Sequence, residues 1–285
     1  MTKIFNYLIQ SIFIYFFLLI GFILQLKISR KLFGYIFLFI GPMIKSKKII
    51  KNNFRICSTK ISNFDESKII KNMWKNYGMT FIEYIFLSDF RKSNSHVVVK
   101  GEENLSLIND QGKPVIFVSG HFANFELMSM EITKRKIPLA TIYRPLNNLF
   151  LNPLMEYLRK KYVCKNQIKK GINGVRDAIK YIKKKHSIAL MIDQRVSEGE
   201  RINLFNVPAL TTTLPAQIST KYDIDIIPVY IERQKDNNFQ IEFMRRIKPK
   251  NFTSKIQLTE ELNIVLEEMI KRNPNQWIWT HNRWK

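Results

Sequence analysis

Residues 7–26 carry no charge: Tyr7-Leu-Ile-Gln-Ser-Ile-Phe-Ile-Tyr-Phe-Phe-Leu-Leu-Ile-Gly-Phe-Ile-Leu-Gln-Leu26. As a helix rising ~1.5 Å per residue, this run is about 30 Å long, the thickness of a bilayer's hydrocarbon core. Lys27, Arg30 and Lys31 follow it, and only Lys3 precedes it. The excess of positive charge on the C-terminal side places the body of the chain in the cytoplasm. No small-residue cleavage site follows, so an anchor is expected rather than a signal peptide. Gln10, Ser11 and Gln25 interrupt the run. They leave an interfacial or buried helix as the alternative. A second apolar stretch, 33–44, contains Gly41-Pro42 and is too short to span. It reads as a membrane-surface helix or as part of the domain. The expected division is 1–45, an anchor or interfacial helices, and 46–285, the folded body.

The body is long enough for one large α/β domain, and an apolar fraction of 46% supplies a core. Lys and Arg number 46 against 23 Asp and Glu, a formal net charge of +23. Such a surface attracts nucleic acid, anionic lipid, or an acidic protein or substrate. The crowding of Ile, Asn and Lys is equally what an AT-rich genome imposes, so charge alone does not choose the partner. Cys57 and Cys164 are far apart and in no metal-ligand spacing, which suggests a reducing compartment. His96, His121, His186 and His281 form no zinc motif, and neither a Gly-x-Ser-x-Gly elbow nor a phosphate-binding glycine loop is present. No metal and no nucleotide cofactor is expected.

Residues 46–95 read as basic helices, with Trp74 and Tyr77 in core positions. From His96 onward the periodicity alternates. Strands are expected at 97–99, 115–118, 139–143, 188–192, 226–231 and 239–243, and helices at 124–135, 150–163, 172–185, 213–222 and 256–272. This predicts an α/β fold: a mixed central sheet with helices on both faces, behind an N-terminal membrane helix.

The chemistry gathers around Pro114-Val-Ile-Phe-Val-Ser-Gly-His121-Phe-Ala-Asn-Phe-Glu126. A short β-branched and aromatic run, a glycine that permits a sharp turn, and a helix put His121 at the C-terminal end of a strand. Open α/β sheets place their sites there. Glu126, in the first turns of the helix, is close enough to fold back toward His121. A carboxylate behind an imidazole fixes its tautomer and stabilises the imidazolium formed when the other nitrogen takes a proton. Such a pair deprotonates a hydroxyl for attack on an acyl group. A structural hydrogen bond is the plainer alternative. Tyr143-Arg144-Pro145 ends the next strand, Arg159 lies in the helix after it, and Asp193-Gln194-Arg195 ends another strand. An arginine there binds phosphate or stabilises an oxyanion, and an aspartate holds it in place. Alternatively Arg144 and Asp193 form a structural ion pair, and Thr211 to Thr213 cap the helix that begins near Leu214. The basic run 165–170 is either a phosphate or acidic-partner contact or a solvated face.

Taken together, Gly120-His121-Phe-Ala-Asn124-Phe-Glu126, Tyr143-Arg-Pro145, Asp193-Gln194, Thr211-Thr-Thr213 and Gln276-Trp-Ile-Trp-Thr-His281-Asn-Arg-Trp-Lys285 resemble the late acyltransferases of lipid A biosynthesis, the lauroyl/myristoyl transferase type. The resemblance covers nearly the whole chain. It implies an enzyme of the inner membrane, its active site facing the cytoplasm. Such an enzyme moves a fatty acyl chain from acyl carrier protein onto a hydroxyl of a lipid A precursor. By that resemblance His121 is the general base and Glu126 orients it, while Arg144, Arg159 and Asp193 belong to substrate binding. Phe125 stands where the family often has tryptophan, and Asn282 and Trp284 vary its basic tail. An acidic donor protein and a phosphorylated acceptor both suit a basic enzyme. An acyltransferase for another glycolipid or phospholipid is the rival within enzymes. A membrane-anchored basic binding protein is the rival outside them. The lysine runs lack interleaved aromatics, so nucleic acid is not expected as a partner.

Overall fold

The computed structural model describes residues 2–62 and 64–285. Among these described residues eleven α-helices run in order: α1 (Thr2–Ile23), α2 (Gln25–Ile44), α3 (Lys47–Cys57), α4 (Glu66–Glu83), α5 (Leu87–Lys92), α6 (Ser106–Gln111), α7 (Glu126–Lys134), α8 (Asn152–Leu158), α9 (Ile172–Lys183), α10 (Leu214–Tyr222) and α11 (Lys255–Arg272). Nine strands accompany them: β1 (Val97–Lys100), β2 (Ile116–Ser119), β3 (Leu139–Tyr143), β4 (Asn166–Lys169), β5 (Ser187–Met191), β6 (Glu200–Leu204), β7 (Val207–Thr211), β8 (Ile226–Arg233) and β9 (Phe239–Phe243).

Seven strands form one sheet in the order β1-β9-β8-β2-β5-β3-β4. Every pairing in it is parallel except β8 with β9. The pleat sorts the strand residues between two cores. Ile116, Val118, Ile188, Leu190 and Ile226 pack against α9, α10 and α11. Phe117, Ala189, Ile227 and Val229 pack against α5 and α7. The sheet is therefore mixed and covered on both faces, as the alternating sequence predicted.

Two pieces differ from the expectation. The basic run 165–170 contains β4, a short polar edge strand paired with β3, so Lys165 and Lys170 flank a strand and Lys169 ends it. Residues 200–211 form the antiparallel hairpin β6–β7, turned by Phe205 and Asn206, both at positive φ. Two left-handed residues in succession match the right-handed twist of the flanking strands.

Among the described residues α1 alone is long and apolar enough to cross a membrane, and 11% of its most apolar window is buried. Gln25, at φ 60, turns the chain between α1 and α2, and Phe17 meets Phe33 edge to face. Helix α2 packs closely on α4. A Cβ on Gly78 would lie 2.1 Å from the Phe33 carbonyl oxygen, so only glycine lets the backbones approach this far.

Candidate active site

Strands β2 and β5 are adjacent, parallel and in register, Ser119 opposite Met191. Two residues further on, His121 and Asp193 leave the sheet side by side at its C-terminal edge. His121 Nδ1 lies 2.7 Å from Asp193 Oδ1. The His121 backbone N–H donates to Oδ2 at 2.8 Å, and the buried Trp277 indole donates to the same oxygen at 2.9 Å. Burial works to raise the Asp193 carboxyl. The His121 charge and these donors outweigh it and hold the group at about 2. Asp193 is therefore an anion, and it fixes the proton of a neutral His121 on Nδ1. Nε2 is left with its lone pair free to accept. Phe125 meets the imidazole edge-on, centroids 4.6 Å apart.

Glu126 does not fold back onto His121 as the spacing suggested. Tyr84 donates to its Oε1 at 2.6 Å, and Arg159 donates to the same oxygen from Nε at 2.8 Å and from Nη2 at 2.6 Å. The physical reason lies in the turn. Ala123, at φ 44, redirects the chain so that α7 starts at Glu126, and a buried guanidinium on the far side captures the carboxylate. Burial alone would lower the Arg159 guanidinium; the Glu126 carboxylate raises it above its ordinary value. Arg159 opens a π-helical turn, 159–163, that continues α8. Such turns are rare and often occur at functional sites.

A third cluster lies behind the loop. Glu83, fully buried, accepts from Arg30 Nε at 2.6 Å, from Arg233 Nη2 at 3.0 Å and from Asn124 Nδ2 at 2.9 Å. Thr80 donates to the Ala123 carbonyl at 3.0 Å. Helix α4 thus supports both sides of the turn between His121 and Glu126.

His121, Glu126, Arg144 and Arg159 line one cavity of about 710 Å³, and Ile14, Leu18, Phe81, Leu154 and Leu158 give it an apolar wall. That is the size and character of a site that buries a small organic ligand. Asp193 sits behind His121. Its oxygens are taken by His121 and Trp277, so it forms no pair with Arg144 and makes no direct approach to the cavity. Of the three threonines, Thr212 accepts from the Leu214 N–H at 3.3 Å, a weak cap, while Thr211 receives Arg283 at 2.7 Å. Sequence reasoning missed Tyr84, and it quoted Trp277 only as part of the C-terminal motif, with no role assigned. Both act through contacts with residues far along the chain.

Comparison with known proteins identifies the family. The sequence profile described as bacterial lipid A biosynthesis acyltransferase matches residues 2–285. The lipid A biosynthesis palmitoleoyltransferase of Escherichia coli (strain K12) is 25% identical over 256 residues, 86% of this chain and 80% of the relative. The lauroyltransferase of the same organism is 24% identical over 257 residues, 85% and 80% of the two chains. The crystal structure of the 1-acyl-sn-glycerophosphate acyltransferase PlsC from Thermotoga maritima overlaps with a TM-score of 0.42 at 16% identity, covering 89% of this chain and 100% of that one. With the family's profile running from residue 2 to residue 285, the chain belongs to the bacterial lipid A biosynthesis acyltransferases and is an acyltransferase of that pathway.

Proposed function

We propose that the protein transfers a fatty acyl chain from the thioester of acyl carrier protein to a hydroxyl of a lipid A precursor, at the cytoplasmic face of the inner membrane. The observation that carries the reading is the 2.7 Å contact between His121 Nδ1 and an anionic, buried Asp193, at the rim of a cavity with an apolar wall. His121 Nε2 takes the acceptor's hydroxyl proton. The alkoxide oxygen bonds to the thioester carbonyl carbon, the tetrahedral adduct collapses, and the C–S bond breaks. The departing thiolate takes the proton from the imidazolium, so the base is restored. Asp193 orients the ring and stabilises the imidazolium. Glu126 holds Arg159 at the cavity, and Arg144 and Arg159 meet the substrates' negative charge. The scheme needs neither metal nor nucleotide. The two carboxylates have separate tasks: one serves the base, the other serves a guanidinium.

The test is transfer from a labelled acyl carrier protein thioester to a Kdo-bearing lipid A precursor in detergent. Wild type is expected to transfer, and His121→Ala to abolish transfer. Glu126→Ala leaves a buried guanidinium without its partner and is expected to reduce transfer by roughly two orders of magnitude, the cost of a misplaced catalytic group. Transfer undiminished in His121→Ala refutes the mechanism. A wild type inactive with donors of several chain lengths refutes the acceptor, and a lipid A profile with and without the protein then points to another glycolipid.

A further inference from the structure

Helix α1 meets the rest of the protein along one stripe. Tyr7, Ser11, Ile14, Leu18 and Gly21 recur every three or four residues and so share a face. Gly21 is buried at the side of Ile82, Ile14 and Leu18 line the active-site cavity, and Ser11 is 2% exposed. The opposite face is open: Phe16 is 56% exposed, Ile12 60% and Ile23 69%. The stripe runs about 21 Å at ~1.5 Å per residue, most of the helix.

Its polar contacts lie at the middle of the helix. Asn148 donates to the Tyr7 carbonyl at 2.9 Å, and its Oδ1 accepts from the Ser11 hydroxyl at 3.0 Å. The Tyr15 hydroxyl donates to the Phe150 carbonyl at 2.8 Å. Residues 144–151 are irregular backbone, with Leu149 51% exposed. One hydrogen bond further on, the Leu146 N–H donates to Asn152, and Asn152 donates to Glu156.

A helix standing across the bilayer would put Ser11 and Ile14 near its centre, about 15 Å from either surface. The irregular backbone of 144–151 and the carboxylate of Glu156 would be carried to that depth. Exposed irregular backbone does not occur in hydrocarbon, and a carboxylate there is costly. A helix lying in the surface, its open face immersed about 5–10 Å, avoids both costs. We propose that α1 lies along one leaflet as the roof of the active-site cavity, with its N-terminus on the same side of the membrane as the catalytic body. This goes beyond the acyl-transfer reading and requires only that the chain be bound to a membrane.

Topology is tested by labelling. The native Cys57 and Cys164 are both buried, so a new surface cysteine is a clean reporter. Lys3→Cys and, on the catalytic body, Lys235→Cys are expressed separately. Inside-out and right-side-out inner-membrane vesicles are then treated with a membrane-impermeant maleimide. Both variants are expected to label in the same preparation and to lose labelling in the other. Labelling of Lys3→Cys in the opposite preparation from Lys235→Cys overturns the proposal. A second measurement reads the packing itself: Ser11→Cys with Asn148→Cys, treated in membranes with a short bis-maleimide. An internal cross-link is expected, and its absence, when each single variant labels after detergent solubilisation, overturns the proposal as well. Neither readout depends on acyl transfer, so failure here is distinguishable from failure of the mechanism.

Discussion

Replacing Asp193 with asparagine isolates what the carboxylate does, because the surroundings dictate how the amide must sit. Oδ2 of Asp193 receives two fixed donors, the His121 backbone N–H and the Trp277 indole. Only the carbonyl oxygen of the amide can take that place. Its NH2 is then forced into the position of Oδ1, 2.7 Å from His121 Nδ1, and presents a donor where the wild type presents an acceptor. The neutral imidazole responds by keeping its proton on Nε2, the nitrogen that must be free to take one. The electrostatic loss points the same way. An imidazolium and a carboxylate with charge centres about 4 Å apart attract by ~4 kcal/mol at an effective dielectric constant of about 20. That corresponds to about three orders of magnitude in rate. The assay is the initial rate of acyl transfer at a pH near 8, where an ordinary imidazole is neutral. It is paired with nitrogen-15 spectra of the histidine ring, which separate the two tautomers. Asp193→Asn is expected to lose about a thousandfold in rate and to move the proton from Nδ1 to Nε2. A loss of less than about tenfold, or an unchanged tautomer, would refute the reasoning.

Glu83→Gln leaves Arg30 and Arg233 buried without an anion, and denaturant unfolding in detergent is expected to show a loss of about 3–5 kcal/mol; less than about 1 kcal/mol would mean the cluster is relieved by other partners. Burial and the Lys134 charge hold the His96 imidazole at about 4. The folded value lies below the ordinary one, so the stability this group confers is intact above about pH 6.5 and falls as the pH drops toward 4, by ~1.4 kcal/mol per unit and about 3 kcal/mol in all. His96→Phe, beside Phe90, is expected to flatten that slope in thermal unfolding between those limits, and an unchanged slope would assign it to other groups. Gly78→Ala puts a methyl against the Phe33 carbonyl oxygen, which cannot yield as a side chain would, and is expected to cost about 1–3 kcal/mol and part α2 from α4.

The sequence displays what is local. The buried strands β2, β5 and β8 read as apolar runs because both of their faces are covered, and α11 reads at helical spacing. Strand β4 escaped because an edge strand is only half covered and can be polar, so Asn166 and Lys169 look like loop. The hairpin escaped because Phe205 occupies a turn position that asparagine or glycine usually signals. At the site, His121 and the strand end that carries it were legible. Its carboxylate partner was not. Glu126 is nearest along the chain, whereas Asp193 is nearest in space, because β5 pairs with β2. Strand order is a property of the whole chain's packing, and no window of residues contains it.

Trp277 has a consequence in time. Its indole holds Asp193, and with Trp279 and Arg283 it is almost completely buried, yet all three are synthesised after every strand of the sheet. On a growing chain His121 and Asp193 are therefore both made well before the indole that holds the carboxylate. The site therefore assembles only after the sheet's last strand has been made, and a nascent chain that has not yet reached residue 277 carries an incomplete catalyst.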